Sequence, residues 1–246
     1  NSVNSLRANA ELESISCVTT MNLYKLNEQE FKGAVVGAIW GDGSINERGM
    51  FRTSSVVESW VLAKDKILSQ LTETTMNKDE KRLGAYGTKP LYQLYTRVHP
   101  VYQKLRLHTY TNERKQATSY AAALINPLGI LIWYLDDGCL DTGDGGIRFQ
   151  IHSNCFGEAE HELLTKAMND RFNLRFNIRT AYKKQRAVTY YWLYLKAADR
   201  LKFWDMVFAP YLEWIPEEMK YKIPRREDVE LKMKSPLHKR FYENIV

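Results

Sequence analysis

The sequence has few cysteines and no long apolar runs, and each shortage excludes a class of protein. Only Cys17, Cys139 and Cys155 occur in 246 residues, and their spacing fits neither a disulfide framework nor a zinc site, which favours a reducing intracellular compartment. No run approaches the roughly 18 apolar residues of a membrane span, so we expect no membrane partner. Residues 1–20 lack the basic-then-apolar order of a secretory signal. We expect them to form a tail before a folded unit that begins near Met21.

The sequence also lacks low-complexity segments and obvious linkers. Its hydrophobic fraction of 44% over 246 residues supports a buried core in one large domain or two small ones. Lysine and arginine number 35 against 29 acids, giving a net charge of +6. A basic excess suits a polyanionic partner, although unrelated proteins also have it. Tyrosines and basic residues often alternate, as in YQLYTRV at 92–98, which points to nucleic acid more than the net charge does.

The order of elements predicts two diverged copies of one unit: helix, strand pair, helix, strand pair, helix. In the first copy, residues 21–120, an apolar helix ends at Asp42, and the later elements are a strand near 51–57, a helix near 60–71 and a strand within 91–98. In the second copy, residues 121–246, we expect helices at 127–138, 157–172 and 200–212, strands at 147–153, 174–182 and 188–195, and a basic C-terminal tail. Pro127 suits the start of its helix.

Two strands of the second copy alternate between apolar side chains and side chains that can hydrogen-bond to bases. Ile147, Phe149 and Ile151 would face the core, because side chains of a strand alternate between its two faces. The predicted outer set contains no acid and consists of Arg148, Gln150, His152, Arg175, Asn177 and Arg179. A plain solvated face would alternate in the same way. The excess of arginine and amide groups favours base recognition, because these groups make paired hydrogen bonds to base edges.

Two apolar helices end in an aspartate that is followed by glycine. Asp42 and Asp137 would each lie at the negative end of a helix dipole, which is unfavourable unless a cation is near. One Asp–Gly turn is a common helix end, but two suggest a paired site. Two carboxylates brought close repel each other and need a counter-charge, and oxygen ligands suit Mg²⁺. Such a pair on a basic, strand-lined surface is an arrangement for phosphodiester cleavage.

The two segments resemble the paired motifs of the LAGLIDADG homing endonucleases, in the single-chain branch with two motifs. The motifs are VVGAIWGDG at 35–43 and ILIWYLDDG at 130–138. The resemblance implies an α+β fold of two pseudo-twofold-related αββαββα halves, with the motif helices at their interface and curved antiparallel sheets forming a saddle for DNA. The small residues at that interface would be Gly33, Gly37, Gly41 and Gly129. Ile132 and Trp133 depart from the small residues of the family and predict a less symmetric approach of the helices.

The resemblance also implies a reaction, in which both DNA strands are hydrolysed across the minor groove to leave short 3′ overhangs. Asp42 and Asp137 would hold two or more Mg²⁺ ions, assisted by the backbone carbonyls of Gly41 and Asp136. The remaining catalytic candidates are Lys115 and Lys222 as basic groups and Ser55 and Asn154 as residues that position water. In the first copy the expected DNA contacts are Arg48, Arg52, Lys81, Arg82, Gln93 and Arg97.

We therefore expect a monomeric, site-specific endonuclease that acts on a long, asymmetric duplex target and is encoded by an intron or a similar mobile element. A mitochondrial or chloroplast location is compatible with the sequence. An RNA maturase that binds intron RNA on the same fold is the main alternative. A DNA-binding protein without activity is a second alternative, which the presence of both Asp42 and Asp137 disfavours.

Overall fold

The computed structural model describes residues 25–80, 89–143, 146–183 and 188–234. The predicted DNA contacts Lys81 and Arg82 lie outside the described residues, as do the tail at 1–20 and most of the basic C-terminal tail. Within the described part, no helix is long and apolar enough to cross a membrane.

The first half begins with the first motif helix, α1, at Glu28–Trp40. A capping box starts it: Glu30 donates its backbone N–H to the Asn27 side chain and accepts the Asn27 N–H with its carboxylate. The helix ends at Trp40 with Gly41 as its cap, so Asp42 follows the helix instead of ending it. The other elements are β1 (Ser44–Ile45), β2 (Phe51–Ser55), α2 (Glu58–Leu68), β3 (Thr74–Asp79), β4 (Leu91–Thr96) and α3 (Pro100–Thr109).

A short connection leads to the second half. It consists of the hairpin β5 (Tyr110–Thr111) and β6 (Arg114–Lys115) and the helix α4 (Ser119–Leu124), and the predicted boundary at 120/121 falls within that helix. The second motif helix, α5 (Pro127–Asp137), starts with Pro127 in its first turn and Asn126 as its cap. The remaining elements are β7 (Gly138–Asp141), β8 (Arg148–Ile151), α6 (Glu158–Phe172), β9 (Phe176–Lys183), β10 (Val188–Leu195), α7 (Arg200–Phe203) and α8 (Arg226–Lys234).

Each half contains one four-stranded antiparallel sheet, and the two sheets have the same strand order. The first sheet runs β1-β2-β4-β3 and the second runs β7-β8-β10-β9. This equivalence confirms the predicted α+β class and the repeated αββαββα plan. Alternation in the strands is also as predicted, since Ile147, Phe149 and Ile151 are buried while Arg148 and Gln150 lie on the other face.

The closing segment departs from the single helix predicted at 200–212. It is an α-helical turn at Arg200–Phe203, a π-helical turn at Trp204–Phe208 and a 3₁₀ turn at Ala209–Tyr211. Pro210 cannot donate a backbone hydrogen bond, so regular helix cannot continue through it. The irregular turns bury Phe203, Val207 and Phe208 completely in the core.

The two motif helices pack against each other through glycines. A Cβ on Gly37 would lie 1.9 Å from the carbonyl oxygen of Gly129, and a Cβ on Gly129 would lie 2.2 Å from that of Gly33. Only glycine permits backbones to approach this closely. Further along, the bulky Trp133 meets Trp40 edge-on, with ring centroids 5.1 Å apart. The interface therefore combines glycine contacts with an aromatic contact. The residues that meet lie at different distances from the aspartate in the two motifs, since Trp40 is two residues before Asp42 and Trp133 is four before Asp137.

Candidate active site

The packing of the motif helices brings Asp42 and Asp137 to the same end of the interface. Asp42 is exposed and Asp137 is half-buried. The backbone N–H of Asp42 donates to Oδ2 of Asp136 at 3.2 Å, which ties the end of the first motif to the second. The C-terminal ends of both helices therefore present carboxylates to one shared region.

Both of these carboxylates bind their protons more tightly than free aspartate does. Desolvation by the surrounding protein raises the pKa of Asp137 to about 7, and the negative charges of Asp136 and Asp42 add to the effect. Desolvation followed by the charge of Asp136 also raises the pKa of Asp42. Lys115 and Lys222 oppose both shifts. A cation between the two carboxylates would favour their ionised forms, because opposite charge lowers a carboxyl pKa.

Asp136 has a different environment from its neighbour. Its side chain is 0% exposed, and Oδ1 accepts hydrogen bonds from Trp60 Nε1 at 2.7 Å and from Lys64 Nζ at 3.0 Å. Lys64 is 2% exposed and also donates to the Thr53 hydroxyl at 2.8 Å. This buried ion pair joins α2 of the first half to the second motif. The Asp136 carboxylate is thus occupied by protein groups.

Lys115 and Lys222 each reach the carbonyls that precede the motif aspartates. Lys115 Nζ donates to the Gly41 carbonyl at 2.6 Å. Lys222 Nζ donates to the carbonyls of Leu135 at 2.6 Å and Asp136 at 3.2 Å. Burial lowers the pKa of Lys222, against the opposing effect of the three acids Asp136, Asp137 and Asp42. Each lysine therefore contacts the carbonyl that precedes a motif aspartate.

The two lysines are held by different structures. Lys115 lies on the β5–β6 hairpin, opposite Tyr110. Lys222 ends a 3₁₀ turn at Glu217–Lys222, and its own carbonyl accepts a hydrogen bond from the buried Tyr134 hydroxyl at 2.8 Å. The halves thus reach similar lysine positions by unrelated local routes, which explains why no common spacing marks them in the sequence.

The two predicted water-positioning residues occupy turns after equivalent strands. Ser55 Oγ accepts the backbone N–H of Val57 at 3.1 Å, at the start of α2. Asn154 is exposed in the turn that follows β8. The sheet registers pair Ile45 with Phe51 and Leu140 with Phe149, and counting from these pairs makes Ser153, not Asn154, the counterpart of Ser55. Ser153 is fully buried and hydrogen-bonded to His161 Nε2 at 2.7 Å.

The first sheet exposes mostly polar side chains on its outer face. Arg52 lies opposite Tyr95, and Ser54 lies opposite Gln93. Gln93 accepts a hydrogen bond from the Tyr95 hydroxyl at 3.0 Å. Arg48 is exposed in the loop before β2, and Arg97, beyond the end of β4, pairs with Glu73 at 3.4 Å.

Several residues of the second sheet that were predicted to contact DNA are paired with acids. Arg148 binds Asp141 at 2.9 Å, and Gln150 donates to the same carboxylate at 3.5 Å. Arg175 makes a two-pronged ion pair with the buried Asp199, at 2.9 Å from Nε and 2.7 Å from Nη2. These acids come from elsewhere in the chain, which is why the strand pattern alone did not reveal them.

The other residues of this sheet that were predicted to contact DNA lie beside aromatic rings. His152 is stacked near Trp192, with centroids 6.1 Å apart. Arg179 lies over the Tyr194 ring at 5.4 Å, and Asn177 lies opposite Tyr194 in the ladder. Trp192 and Tyr194 were not among the outer-face residues predicted from the sequence.

Lys64, Trp60 and Tyr134 also contact the site region but were not among the residues predicted from the sequence. One feature of the sequence indicated that Lys64 is buried. It lies four residues after Trp60 and three before Ile67, on an otherwise apolar face of α2. A lysine at a core position implies a buried partner. No sequence pattern identifies this partner as Asp136, 72 residues away.

The donor set is compatible with a hard divalent cation. In the described part of the chain, no group of three or more His, Cys, Asp or Glu side chains is arranged to hold a metal by itself. The available donors are the carboxylates of Asp42 and Asp137 and the backbone carbonyls of Gly41 and Asp136. Mg²⁺ suits such a sparse set, since it keeps several waters and completes its coordination with substrate phosphates.

Comparison with known proteins supports the same family. Residues 32–203 match the model of the LAGLIDADG DNA endonuclease family. Protein RecA of Mycolicibacterium flavescens is 26% identical over 219 residues, which cover 81% of this chain and 47% of that protein. This chain therefore spans less than half the length of that relative. Cytochrome b mRNA maturase bI2 of Debaryomyces hansenii is 22% identical over 213 residues, covering 82% of this chain and 77% of the maturase.

Solved structures show the same fold. The homing endonuclease I-WcaI, bound to its DNA recognition sequence, superposes with a TM-score of 0.65 at 19% identity, over 86% of this chain and 96% of that one. The N-terminal LAGLIDADG domain of DUF199/WhiA gives a TM-score of 0.50 at 14% identity, over 78% and 90% of the two chains. The family match covers both motifs and most of the chain between and around them. The chain therefore belongs to the LAGLIDADG DNA endonuclease family.

Proposed function

We propose that this protein is a metal-dependent endonuclease that cuts both strands of a specific duplex DNA at a site formed by Asp42 and Asp137. One observation carries the proposal. Two carboxylates with raised pKa values meet at adjoining helix ends, and each lies beside a lysine that contacts the preceding carbonyl. Cleavage across the minor groove with short 3′ overhangs remains part of the proposal, as does the use of Mg²⁺.

The residues of this site would have three roles: binding metal, stabilising charge on the phosphate and positioning the Asp42 backbone. Asp42, Asp137 and the carbonyls of Gly41 and Asp136 would hold the divalent ions, which supply Lewis-acid stabilisation and an activated water when bound. Lys115 and Lys222 donate to those carbonyls in the free protein. With DNA present, their ammonium groups would stabilise charge that develops on a phosphate. Asp136 holds the Asp42 backbone through its carboxylate.

The test uses a duplex selected from a randomised library by binding in Ca²⁺, which is expected to support binding better than cutting. Asp42→Asn and Asp137→Asn should each reduce double-strand cleavage in Mg²⁺ by at least about 100-fold, since each removes a ligand from a metal that contributes several kcal/mol. Their affinity for the duplex in Ca²⁺ should change little, because phosphate contacts elsewhere supply most of it.

The matched control is Asp170→Asn, which removes an exposed acid from α6 that pairs with Lys166. It should cut at the wild-type rate. Wild-type cutting by either motif variant would disprove the assignment of the site.

The maturase relative of Debaryomyces hansenii supports a second candidate, which is binding of intron RNA. Filter binding at matched salt would separate the two functions. If a structured intron RNA binds far more tightly than every duplex, and no duplex is cut, the endonuclease proposal fails and the maturase proposal replaces it.

A further inference from the structure

The outer face of β10 carries three aromatic side chains. Tyr190, Trp192 and Tyr194 alternate with Leu193 and Leu195, which are both fully buried. All three rings are partly exposed. We refer to Tyr190, Trp192 and Tyr194 as the aromatic face. It lies in the middle of the second sheet, because β10 has β8 on one side and β9 on the other.

Three of the hydrogen-bonding side chains around the aromatic face, Arg148, Gln150 and Arg175, already have protein partners. Gln150, directly opposite Tyr194, shares Asp141 with Arg148. Arg175, immediately before β9, is bound to Asp199 through Nε and Nη2. Reading bases through Arg148, Gln150 or Arg175 would require breaking an existing contact with Asp141 or Asp199.

The arrangement of the rings favours contact with groups that project from a base pair over stacking of a free base. His152 lies nearly parallel to Trp192, at an interplanar angle of 28°. The Arg179 guanidinium covers the Tyr194 ring. A flat, unpaired base would have to displace these neighbours before it could stack. The thymine methyl group projects into the major groove and makes apolar contacts there.

The equivalent face of the first sheet is chemically different. Its outer positions across the three longer strands are Arg52, Ser54, Tyr95, Gln93, Thr75 and Asn77, with Asp79 and Leu91 at one end. This face has one aromatic residue, whereas the second sheet has three, and most of its other side chains are amide, hydroxyl or guanidinium groups. The two halves of the saddle would therefore recognise DNA by different chemistry.

We propose that the aromatic face reads thymine methyl groups in one half of the DNA target, while the first sheet reads the other half by hydrogen bonds. This inference rests on the proposed duplex DNA partner and adds a chemical asymmetry to its target. The half-site that faces the second sheet should contain thymines at positions where loss of the methyl group weakens binding.

The experiment replaces thymine by deoxyuridine, which removes only the methyl group, in each half of the duplex selected by binding in Ca²⁺. In one half, each sensitive position should lose about three- to fivefold in affinity, the loss expected for one methyl-sized apolar group. The other half should be insensitive. Trp192→Ala should abolish the sensitivity at the positions it contacts, and Tyr194→Ser is a second variant if Trp192→Ala does not fold.

The matched control is Tyr182→Ala, which removes an exposed tyrosine from the opposite face of the same sheet. It should keep the full deoxyuridine effect. The inference would be overturned if deoxyuridine affected binding in neither half of the target of the wild-type protein. It would also be overturned if the selected half-sites contained no thymine, or if no duplex were enriched. Trp192-dependent binding of a single-stranded oligonucleotide in preference to the duplex would overturn it in favour of base stacking.

These results are separable from the proposed function. Deoxyuridine-sensitive binding without cleavage in Mg²⁺ would support the aromatic face and reject the endonuclease. Cleavage in Mg²⁺ with no deoxyuridine effect on binding would support the endonuclease and reject the aromatic face as a reader of thymine methyl groups.

Discussion

At the scale of single residues, Asp136 and Asp137 illustrate how position decides the role of a carboxylate. The Asp136 side chain points inward to Lys64 and Trp60 and is fully enclosed. Asp137, one residue later, keeps a raised pKa of about 7 because desolvation outweighs the attraction of the two lysines. A buried ion pair such as Lys64–Asp136 adds little net stability, since desolvation offsets much of its attraction. Here it joins α2 of the first half to the second motif.

The raised pKa of Asp137 predicts how stability changes with pH in the absence of metal. The folded protein holds this proton up to about pH 7, whereas the unfolded chain releases it near the ordinary value of 3.8. Between these values the folded state binds more protons, so this group makes unfolding easier as pH rises. Well above pH 7 the loss of folding stability from this group is complete and no longer changes with pH.

Urea unfolding in EDTA would measure this effect for wild type and for Asp137→Asn, which does not titrate. The stability of the variant relative to wild type should increase by about 1–3 kcal/mol between pH 5 and pH 8, since one unit of pKa corresponds to about 1.4 kcal/mol. A constant difference across that range would contradict the prediction.

At the scale of elements, the contact between the motif helices depends on glycines that are unfavourable in an isolated helix. Alanine at Gly37 would gain about 1 kcal/mol in helix propensity. Its Cβ would, however, lie 1.9 Å from the Gly129 carbonyl oxygen, so the helices would have to separate. Separation would also move Asp42 away from Asp137.

We therefore expect Gly37→Ala to lower the free energy of unfolding by about 2–3 kcal/mol, in the range of overpacked cores, and to reduce cleavage as well. The control is Gly146→Ala, where the nearest atom would lie at 3.7 Å. This variant should remain within about 1 kcal/mol of wild type. Urea unfolding would compare the two, and equal stability of both variants would show that the helices are not closely packed at Gly37.

At the scale of the whole molecule, one chain supplies both motif acids and both lysines. If the protein acts as a monomer, a mixture of Asp42→Asn and Asp137→Asn should not recover double-strand cleavage, because every molecule in it lacks one acid. Recovery of activity in the mixture, above that of either variant alone, would show that an active site forms between two chains. Size-exclusion chromatography of the complex with the selected duplex would check the same point independently.

The sequence by itself determined the elements whose signals are local. The paired Asp–Gly helix ends, the period of two in the strand at 147–153 and Pro127 at a helix start predicted the motif helices and the repeated αββαββα plan. These features depend on neighbouring residues and on the period of helix or strand, so they can be read along the chain. Even there, the first motif helix ended at Trp40 and not at Asp42.

Tertiary structure decided which distant groups meet. Lys64 and Asp136, Arg175 and Asp199, and Lys222 and the carbonyl of Leu135 are separated by 72, 24 and 87 residues respectively. Their pairing follows from how helices and sheets pack, not from any spacing in the sequence. The exposure of the aromatic face was decided in the same way, because a strand pattern tells which residues share a face but not what lies above it.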